Sequence, residues 1–282
     1  MTGTTPDTAW TPMILAVAPN GARKTQADHP AIPIAPEEIG RCAAACAESG
    51  AAMIHLHVRN RDGGHTLDPD AYRAAIAAVR RETGDRVIVQ ATSESVGLYQ
   101  PAEQMAMVRA LKPEAVSLAV REFAPDAASE ATAAAFFAWV ARERILAQYI
   151  LYSDEDLMRF DDLIARGVVP PGPHFVLFVL GRYTAGQRSQ PGDLLPFVAA
   201  NRSDHAWAMC AFGPRETACA IVAGGLGGHA RVGFENNMHL PDGTLAPDNA
   251  ALVAAVADGA RSIGRPLADA ATAREIMAAA HV

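Results

Sequence analysis

The sequence has few cysteines, four in 282 residues, which is too few for a disulfide-rich fold. They are Cys42, Cys46, Cys210 and Cys219. Cys42 and Cys46 are four residues apart in an alanine-rich stretch, so we expect them to share one face of a helix. We expect all four to be unpaired core residues, because cysteine is among the most often buried residue types.

The sequence also lacks an excess of positive charge and any long hydrophobic run. Its formal net charge of -7 argues against a nucleic-acid partner, because phosphate binding needs a basic surface. No run approaches the roughly 18 apolar residues of a membrane span, and the polar first residues do not resemble a signal peptide. We therefore expect a cytoplasmic protein, with residues 1–11 as a loose tail and residues 12–282 as one domain.

Linkers and strong internal repeats are missing as well, and short apolar runs alternate instead with alanine-rich helical segments. Apolar strands separated by helices predict a parallel sheet covered on both faces. Eight such units favour a single closed (β/α)8 TIM barrel, with a doubly wound open sheet as the alternative. The predicted strands are 13–18, 52–58, 86–92, 115–119, 147–152, 175–180, 206–211 and 231–234. The predicted helices are 36–49, 69–82, 101–111, 130–143, 154–166, 191–200, 215–226 and 247–263.

A pair of histidines at the end of the second predicted strand is the sharpest feature of the sequence. His55 and His57 are two residues apart, so in a strand they point to the same side. Catalytic groups of a barrel lie at the carboxyl ends of its strands. The pair therefore indicates a metal chelate, and the alternative is two core histidines bonded to neighbouring carbonyl groups.

Glu235, at the end of the last predicted strand, is the candidate third ligand. In a closed barrel the last strand neighbours the first, and the strand of the histidines lies just beyond, so this carboxylate could reach the same ion. Two histidines, one carboxylate and an open position suit zinc acting as a Lewis acid, although ligand type does not separate zinc from other divalent metals. The alternative is a glutamate paired with Arg59 or Arg231.

Short hydroxyl residues lie at the end of the third predicted strand and within the fourth. Thr92, Ser93 and Ser117 would hydrogen-bond an oxyanion or a carboxylate if they faced the mouth of the barrel. The alternative is that they cap helices or close turns.

Two loops combine glycine with basic residues. One follows the first strand and contains Arg23 and Lys24, and the other follows the sixth strand and contains Arg182 and Arg188. Such loops could hold an anion or a phosphate. For the second loop, which lacks the spacing of a known nucleotide motif, the sequence favours solvated charge instead.

Several motifs together resemble the β-keto acid cleavage enzymes, a family whose founding activity is cleavage of 3-keto-5-aminohexanoate. The resemblance extends from Met13 to about Met277. Its markers are the segments 28–33 (DHPAIP), 55–59 (HLHVR), 112–117 (KPEAVS), 178–181 (FVLG) and 227–237 (GGHARVGFENN).

The resemblance implies a zinc-bearing TIM barrel, usually a homotetramer. It also implies a reaction that converts a β-keto acid and acetyl-CoA into acetoacetate and a new acyl-CoA. The zinc ligands that it implies are His55, His57 and Glu235. It further implies that Arg231 is catalytic and that Thr92 and Ser117 surround the keto acid.

The sequence departs from the family pattern at three places. Asn236 replaces the aspartate proposed as general base, and an amide does not accept a proton. Residues 93–95 (SES) replace Thr-Gly-Gly, and our hypothesis is that Glu94 restores the lost carboxylate. Arg23 and Gln148 replace the carboxylates that bind the substrate amine, which predicts a neutral or anionic substrate tail.

The sequence therefore favours a zinc-dependent acyl transfer that uses acetyl-CoA. One alternative is a metal-dependent lyase or hydrolase that acts on a small oxo-acid without coenzyme A. Another is a non-catalytic binder of small molecules that retains the metal.

Overall fold

The computed structural model of the protein describes residues 10–280. Eight parallel strands form a closed barrel in which neighbouring strands pair in chain order and the last strand pairs with the first. This confirms the predicted TIM barrel and excludes the open sheet. The barrel strands are β1 (Leu15–Val17), β2 (Met53–Leu56), β5 (Ile88–Thr92), β6 (Ala115–Ala119), β7 (Leu146–Leu151), β8 (Phe175–Leu180), β9 (Ala206–Ala211) and β10 (His229–Val232). A separate antiparallel hairpin consists of β3 (Val58–Arg59) and β4 (His65–Thr66).

Helices follow the strands and cover the outside of the barrel. The helices are α1 (Pro36–Glu48), α2 (Pro69–Thr83), α3 (Pro101–Leu111), α4 (Val120–Phe123), α5 (Glu130–Arg142), α6 (Asp154–Ala165), α7 (Leu195–Ala200), α8 (Glu216–Gly225), α9 (Asn249–Ser262) and α10 (Ala270–Ala279), with a 3-10 turn at Pro191–Leu194. Proline stands at the first position of α1, α2 and α3, where its missing N–H costs no helical hydrogen bond. In residues 10–280, no helix combines the length and the apolar character of a membrane span.

Strand residues alternate between the two faces of the barrel wall. Leu15, Ile54 and Val89 belong to the large apolar cluster shared with the surrounding helices, whereas Met53 and Ile88 belong to the cluster inside the barrel. The period of two then places polar residues on the inner face toward the carboxyl ends of the strands. These inner polar residues are His55, Gln90, Thr92, Ser117, Gln148 and Arg231.

The last barrel strand ends two residues earlier than predicted, at Val232 instead of 234. Gly233 follows it with a φ of +135°, and a Cβ there would lie 2.5 Å from the carbonyl oxygen of Ala18. Only glycine fits this close approach to the neighbouring strand. Glu235 therefore lies in the turn after the strand. His57 likewise lies outside regular strand structure, between β2 and β3.

The end of the barrel opposite to these residues is closed by α10, a helix that the sequence analysis did not predict. Its residues Ala273 and Met277 pack into the apolar cluster inside the barrel. Of the predicted tail, residues 1–9 lie outside the described part of the chain, as do residues 281–282 of the predicted domain. Thr11 accepts a hydrogen bond from Arg265 Nε at 3.1 Å, and the Arg265 guanidinium lies 5.6 Å from the ring centre of Trp10.

Candidate metal centre and active site

Three side-chain atoms from two distant parts of the chain converge at the carboxyl end of the barrel. His55 Nε2 lies 3.2 Å from His57 Nε2, and Glu235 Oε2 lies 3.3 Å from His57 Nε2 and 3.7 Å from His55 Nε2. They meet because β1 pairs with β2 on one side and with β10 on the other. Gly21, with a φ of +62°, lets the loop after β1 approach Glu235, whose Cγ would be 2.7 Å from a Cβ at that position.

The geometry and chemistry of these three atoms fit a divalent metal. Bonds of about 2.0–2.2 Å in a tetrahedral zinc site place ligand atoms roughly 3.3–3.6 Å apart, close to the distances between these side chains. Glu235 Oε2 is buried and has no hydrogen-bond partner among the described residues. Two imidazole nitrogens that face each other and a buried carboxylate oxygen form a donor set that a cation would satisfy.

A glutamine inside the barrel orients one of the histidines. His55 Nδ1 lies 2.8 Å from Gln90 Oε1, and since a carboxamide oxygen only accepts, Nδ1 donates and Nε2 retains its lone pair. Gln90 Nε2 in turn donates to Gln148 Oε1 at 3.2 Å. Burial, assisted by the positive charge of Arg231, lowers the pKa of His55 to about 3. The ring is therefore neutral at physiological pH, as a metal ligand must be.

Arg231 and Glu235 form a buried ion pair beside the histidines. Arg231 Nη2 donates to Glu235 Oε1 at 3.0 Å and to Cys210 Sγ at 3.3 Å. Burial alone would raise the pKa of the Glu235 carboxyl, but Arg231 and the two histidines lower it well below its usual range. Burial raises the pKa of Cys210 to about 11, so the thiol is protonated. The two readings of Glu235 from the sequence, ligand and partner of Arg231, are thus compatible, because each carboxylate oxygen serves one of them.

Glu94 lies at the open side of the three converging atoms, with Oε2 3.9 Å from His57 Nε2. Its backbone is held on both sides: the Glu94 N–H donates to Thr92 Oγ1 at 3.1 Å, and His65 Nε2 lies 2.9 Å from the Glu94 carbonyl oxygen. Ser95 donates from its N–H and its hydroxyl to the carboxylate of Glu122. The turn is therefore rigidly held, while the Glu94 carboxylate itself accepts no hydrogen bond from the described residues.

The hydroxyl residues divide into two groups. Thr92 lines the chamber above the histidines, and the Ser117 hydroxyl lies 3.5 Å from the Thr92 hydroxyl. The hydroxyl of Ser93, expected to contact substrate, instead donates to the Ser117 carbonyl at 2.7 Å and is buried. This hydrogen bond ties the turn that carries Glu94 to the neighbouring strand β6.

The remaining sequence candidates are not brought to one place. Arg23 is exposed and lines the outer part of the mouth, whereas Gln148 is buried behind Gln90 and lines neither cavity at the mouth. Asn236 is buried beside Glu235, and neither atom of its amide has a hydrogen-bond partner among the described residues. Its backbone carbonyl accepts a hydrogen bond from Gly213 N–H at 3.1 Å.

Two small cavities meet above the candidate metal ligands. The inner chamber, of about 20 Å³, is lined by His55, Thr92, Ile150, Tyr152, Val179 and Arg231 together with four residues that it shares with the outer cavity. The outer cavity, of about 140 Å³, is lined in addition by residues 20–24 and Gln187. The shared residues are Glu94, Arg182, Phe212 and Glu235. A larger cavity of about 410 Å³ lies between α5 and β7, but its lining is mostly apolar and includes none of the metal-ligand candidates.

The sequence did not predict the roles of three further residues at this site. Lys24 donates from Nζ to the carbonyl oxygens of Phe234 and Glu235, at 2.6 and 3.0 Å, and so fixes the turn that carries the candidate carboxylate ligand. Tyr152 lines the inner chamber, and burial raises the pKa of its phenol well above the usual value. Arg182, for which the sequence favoured solvated loop charge, lines both cavities. Position along the chain could have indicated two of these residues. Tyr152 directly follows β7, and Arg182 is the second residue after β8, so both lie at the carboxyl end of the barrel.

Known proteins are similar to this chain in sequence and in fold. A family model described as beta-keto acid cleavage enzyme matches residues 12–278. A 3-keto-5-aminohexanoate cleavage enzyme from Fusobacterium nucleatum is 32% identical over 276 residues, which covers 94% of this chain and 97% of that protein. Another from Acetoanaerobium sticklandii is 30% identical over 270 residues, with the same coverage. A 3-oxoadipate:acetyl-CoA acetyltransferase from Cupriavidus necator is 29% identical over 286 residues and is covered to 94%, as is this chain.

Solved structures support the fold alone. The apo structure of ObcA superimposes with a TM-score of 0.70 at 18% identity, over 88% of this chain and 65% of that longer chain. A 3-dehydroquinate dehydratase from Geobacillus kaustophilus reaches a TM-score of 0.54 at 14% identity, over 88% of this chain and 91% of that chain. The family match and the two relatives at or above 30% identity decide the assignment: the chain belongs to the beta-keto acid cleavage enzyme family.

Proposed function

We propose that this protein is a zinc-dependent enzyme that converts a β-keto acid and acetyl-CoA into acetoacetate and a new acyl-CoA. The observation that carries the proposal is the convergence of His55, His57 and Glu235 with a carboxylate, Glu94, 3.9 Å from His57 Nε2. This arrangement places a candidate base, Glu94, beside a set of three candidate metal ligands. The relatives described as acetyl-CoA transferases support the use of acetyl-CoA.

In this proposal His55, His57 and Glu235 hold the zinc ion. When bound, zinc would supply Lewis-acid polarisation of the substrate's keto group, which makes the neighbouring hydrogen easier to remove. The remaining tasks belong to the side chains of the protein.

Glu94 is assigned the role of general base because its carboxylate faces the chamber on a rigid turn without a hydrogen bond of its own. It takes one proton from the carbon between the keto group and the carboxylate of the substrate. The resulting carbanion attacks the thioester carbon of acetyl-CoA and displaces the coenzyme A thiolate. The thiolate attacks the original keto carbon, and cleavage of the adjacent carbon–carbon bond releases acetoacetate after Glu94 returns its proton.

Arg231, Thr92 and Ser117 are assigned to the negative charge of the substrate. Arg231 lines the inner chamber, and its Nη2 donates to Glu235. Its Nε is buried and has no hydrogen-bond partner among residues 10–280. Preorganised donors of this kind stabilise developing charge in a site that excludes water. Asn236 cannot act as a base, and its unpaired buried amide is suited only to donating or accepting a hydrogen bond.

The substrate tail is proposed to be neutral or anionic, since Arg23 and Arg182 at the mouth would repel an ammonium group. The homotetramer implied by the family resemblance and the cytoplasmic location expected from the sequence stay predictions.

The direct test is product analysis after incubation of the zinc-loaded protein with β-keto acids, with and without acetyl-CoA. The proposal predicts acetoacetate and a new acyl-CoA only when acetyl-CoA is present. Turnover of the keto acid without acetyl-CoA would favour a metal-dependent lyase or hydrolase, the second candidate, for which Asn236 in place of an aspartate is the specific observation. Tight binding without any turnover would instead indicate a binding protein.

A further inference from the structure

Arg182 occupies the boundary between the two cavities of the mouth. It is the second residue after β8, and it lines both cavities. Glu94 also lines both cavities. Two contacts connect it to the metal ligands, 3.7 Å from Arg182 Nη2 to Glu94 Oε1 and 3.9 Å from Glu94 Oε2 to His57 Nε2. Glu94 thus lies between Arg182 and His57, so a group bound by Arg182 would lie on the side of Glu94 that faces away from the candidate metal ligands.

The guanidinium of Arg182 is largely buried but makes no hydrogen bond to any residue in the range 10–280. Its side chain is 18% exposed, and it lies 5.3 Å from the ring centre of Phe212 and 6.0 Å from that of Tyr183. Its contact with Glu94, at 3.7 Å, is longer than a charge-assisted hydrogen bond of about 2.7–2.9 Å. The five N–H donors of the Arg182 guanidinium are therefore available to another acceptor.

The other buried or half-buried cations near the mouth are already engaged. Lys24 donates to two backbone carbonyls, Arg59 donates to the carbonyls of Gly21, Lys24 and Gly63, and Arg231 is paired with Glu235. Arg23 is exposed, so an ion pair there would be weakened by water. Within the part of the chain that the structure describes, Arg182 is the half-buried cation of the mouth that retains its hydrogen-bonding capacity.

From this geometry we infer that Arg182 determines substrate specificity by binding a second carboxylate, at the tail of a dicarboxylic β-keto acid. The inference rests on the proposed function. The carboxylate next to the reacting carbon faces Arg231, Thr92 and the metal ligands in the inner chamber, so a tail carboxylate is the anion that extends past Glu94 toward Arg182.

The test uses three keto acids with the same six-carbon chain and different tails: 3-oxoadipate with a carboxylate, 3-oxohexanoate without charge, and 3-keto-5-aminohexanoate with an ammonium group. The wild-type protein is expected to have its highest kcat/KM with 3-oxoadipate. Arg182→Gln should lower kcat/KM for 3-oxoadipate about 10–100-fold, mainly through KM, because a hydrogen-bonded charge pair is lost. With 3-oxohexanoate the same variant should match the wild type.

Two further variants serve as controls. Arg182→Lys keeps the charge but loses the planar fork, so it should recover only part of the activity with 3-oxoadipate. Arg188→Gln removes an exposed arginine of the same loop and should leave all three substrates unaffected. Thermal unfolding and zinc content of each variant show whether the fold and the metal site are retained.

Calorimetric binding of 3-oxoadipate and 3-oxohexanoate to the zinc-loaded proteins separates this inference from the proposed function. If the wild type turns over no keto acid, the proposed function fails, and a selective loss of 3-oxoadipate binding in Arg182→Gln would still support the role of Arg182. Equal losses with both keto acids would overturn the inference, because Arg182 would then act on Glu94 or on the inner carboxylate. A change confined to the KM of acetyl-CoA would also overturn it, since the anion would be a phosphate of coenzyme A.

Discussion

Replacement of Gln90 should weaken metal binding although Gln90 is not itself a candidate ligand. Its side chain is fully buried, and its Oε1 accepts the hydrogen bond from His55 Nδ1 at 2.8 Å. Gln90→Leu keeps the approximate volume of the side chain and removes the acceptor. The N–H of His55 then has no partner in an apolar environment, so the ring is free to rotate or to place its hydrogen on Nε2, where the metal would bind.

The size of the effect follows from the loss of one buried hydrogen bond. An unsatisfied buried donor costs about 1–3 kcal/mol, and 1.4 kcal/mol corresponds to a tenfold change in a binding constant. Partners of metal-bound histidines typically contribute about 10–100-fold to affinity. We therefore expect the zinc Kd of Gln90→Leu to rise about 10–100-fold. Gln148 also loses its hydrogen bond from Gln90, so the free energy of unfolding should fall as well.

Gln90→Glu is the matched control. It retains an acceptor for His55, and Gln148, whose Nε2 is buried without a partner among the described residues, could turn its amide to donate to the new carboxylate. We expect zinc to bind this variant at least as tightly as it binds the wild type. The assay is competition with a chromophoric chelator at neutral pH, with unfolding in denaturant measured in parallel. An unchanged zinc affinity in folded Gln90→Leu would refute the argument that Gln90 orients a metal ligand.

Three other changes test separate parts of the structure. Glu94→Gln should lower kcat about 100–10,000-fold, because it removes the proposed base, and should leave zinc content intact; unchanged turnover would exclude that role. Asn236→Asp should not increase the rate if Glu94 is the base, so a rate increase in a steady-state assay would instead assign the base to position 236. Arg265→Met should lower the free energy of unfolding by about 3–5 kcal/mol, because the buried guanidinium donates to the carbonyls of Thr11, Gly224, Gly227 and Gly228. Denaturant unfolding checks this, and kcat of the folded Arg265→Met protein should equal that of the wild type.

Local patterns in the sequence were sufficient for the class of fold and for the three candidate metal ligands that the structure brings together. The alternation of apolar strands and helices depends on periods of two and 3.6 residues, which can be counted along the chain. The spacing of His55 and His57 put both rings on one side for the same reason. Glu235 was found because the end of a barrel strand is where functional groups lie, even though its strand ends earlier than predicted.

Local patterns did not predict the terminal helix or the roles of residues whose partners are distant in the sequence. The terminal helix α10 has no strand after it to mark it as part of a repeat, and only its packing inside the barrel explains its presence. Arg182 looked like ordinary loop charge until the closure of the barrel placed it beside Glu94. Ser93 and Thr92 are adjacent hydroxyl residues in the sequence, yet one is bonded to the neighbouring strand and the other lines the chamber.

The sequence by itself thus determined the barrel fold, the histidine pair and the family. Each of these follows from residue types at short spacing along the chain. The tertiary structure decided which groups share a chamber: it joined β10 to β2 through β1, set the distances between Glu235 and the histidines, and turned Glu94 and Arg182 toward the same space. The physical reason is that barrel closure and strand register are contacts between residues far apart in the chain, and no local pattern encodes a distance of this kind.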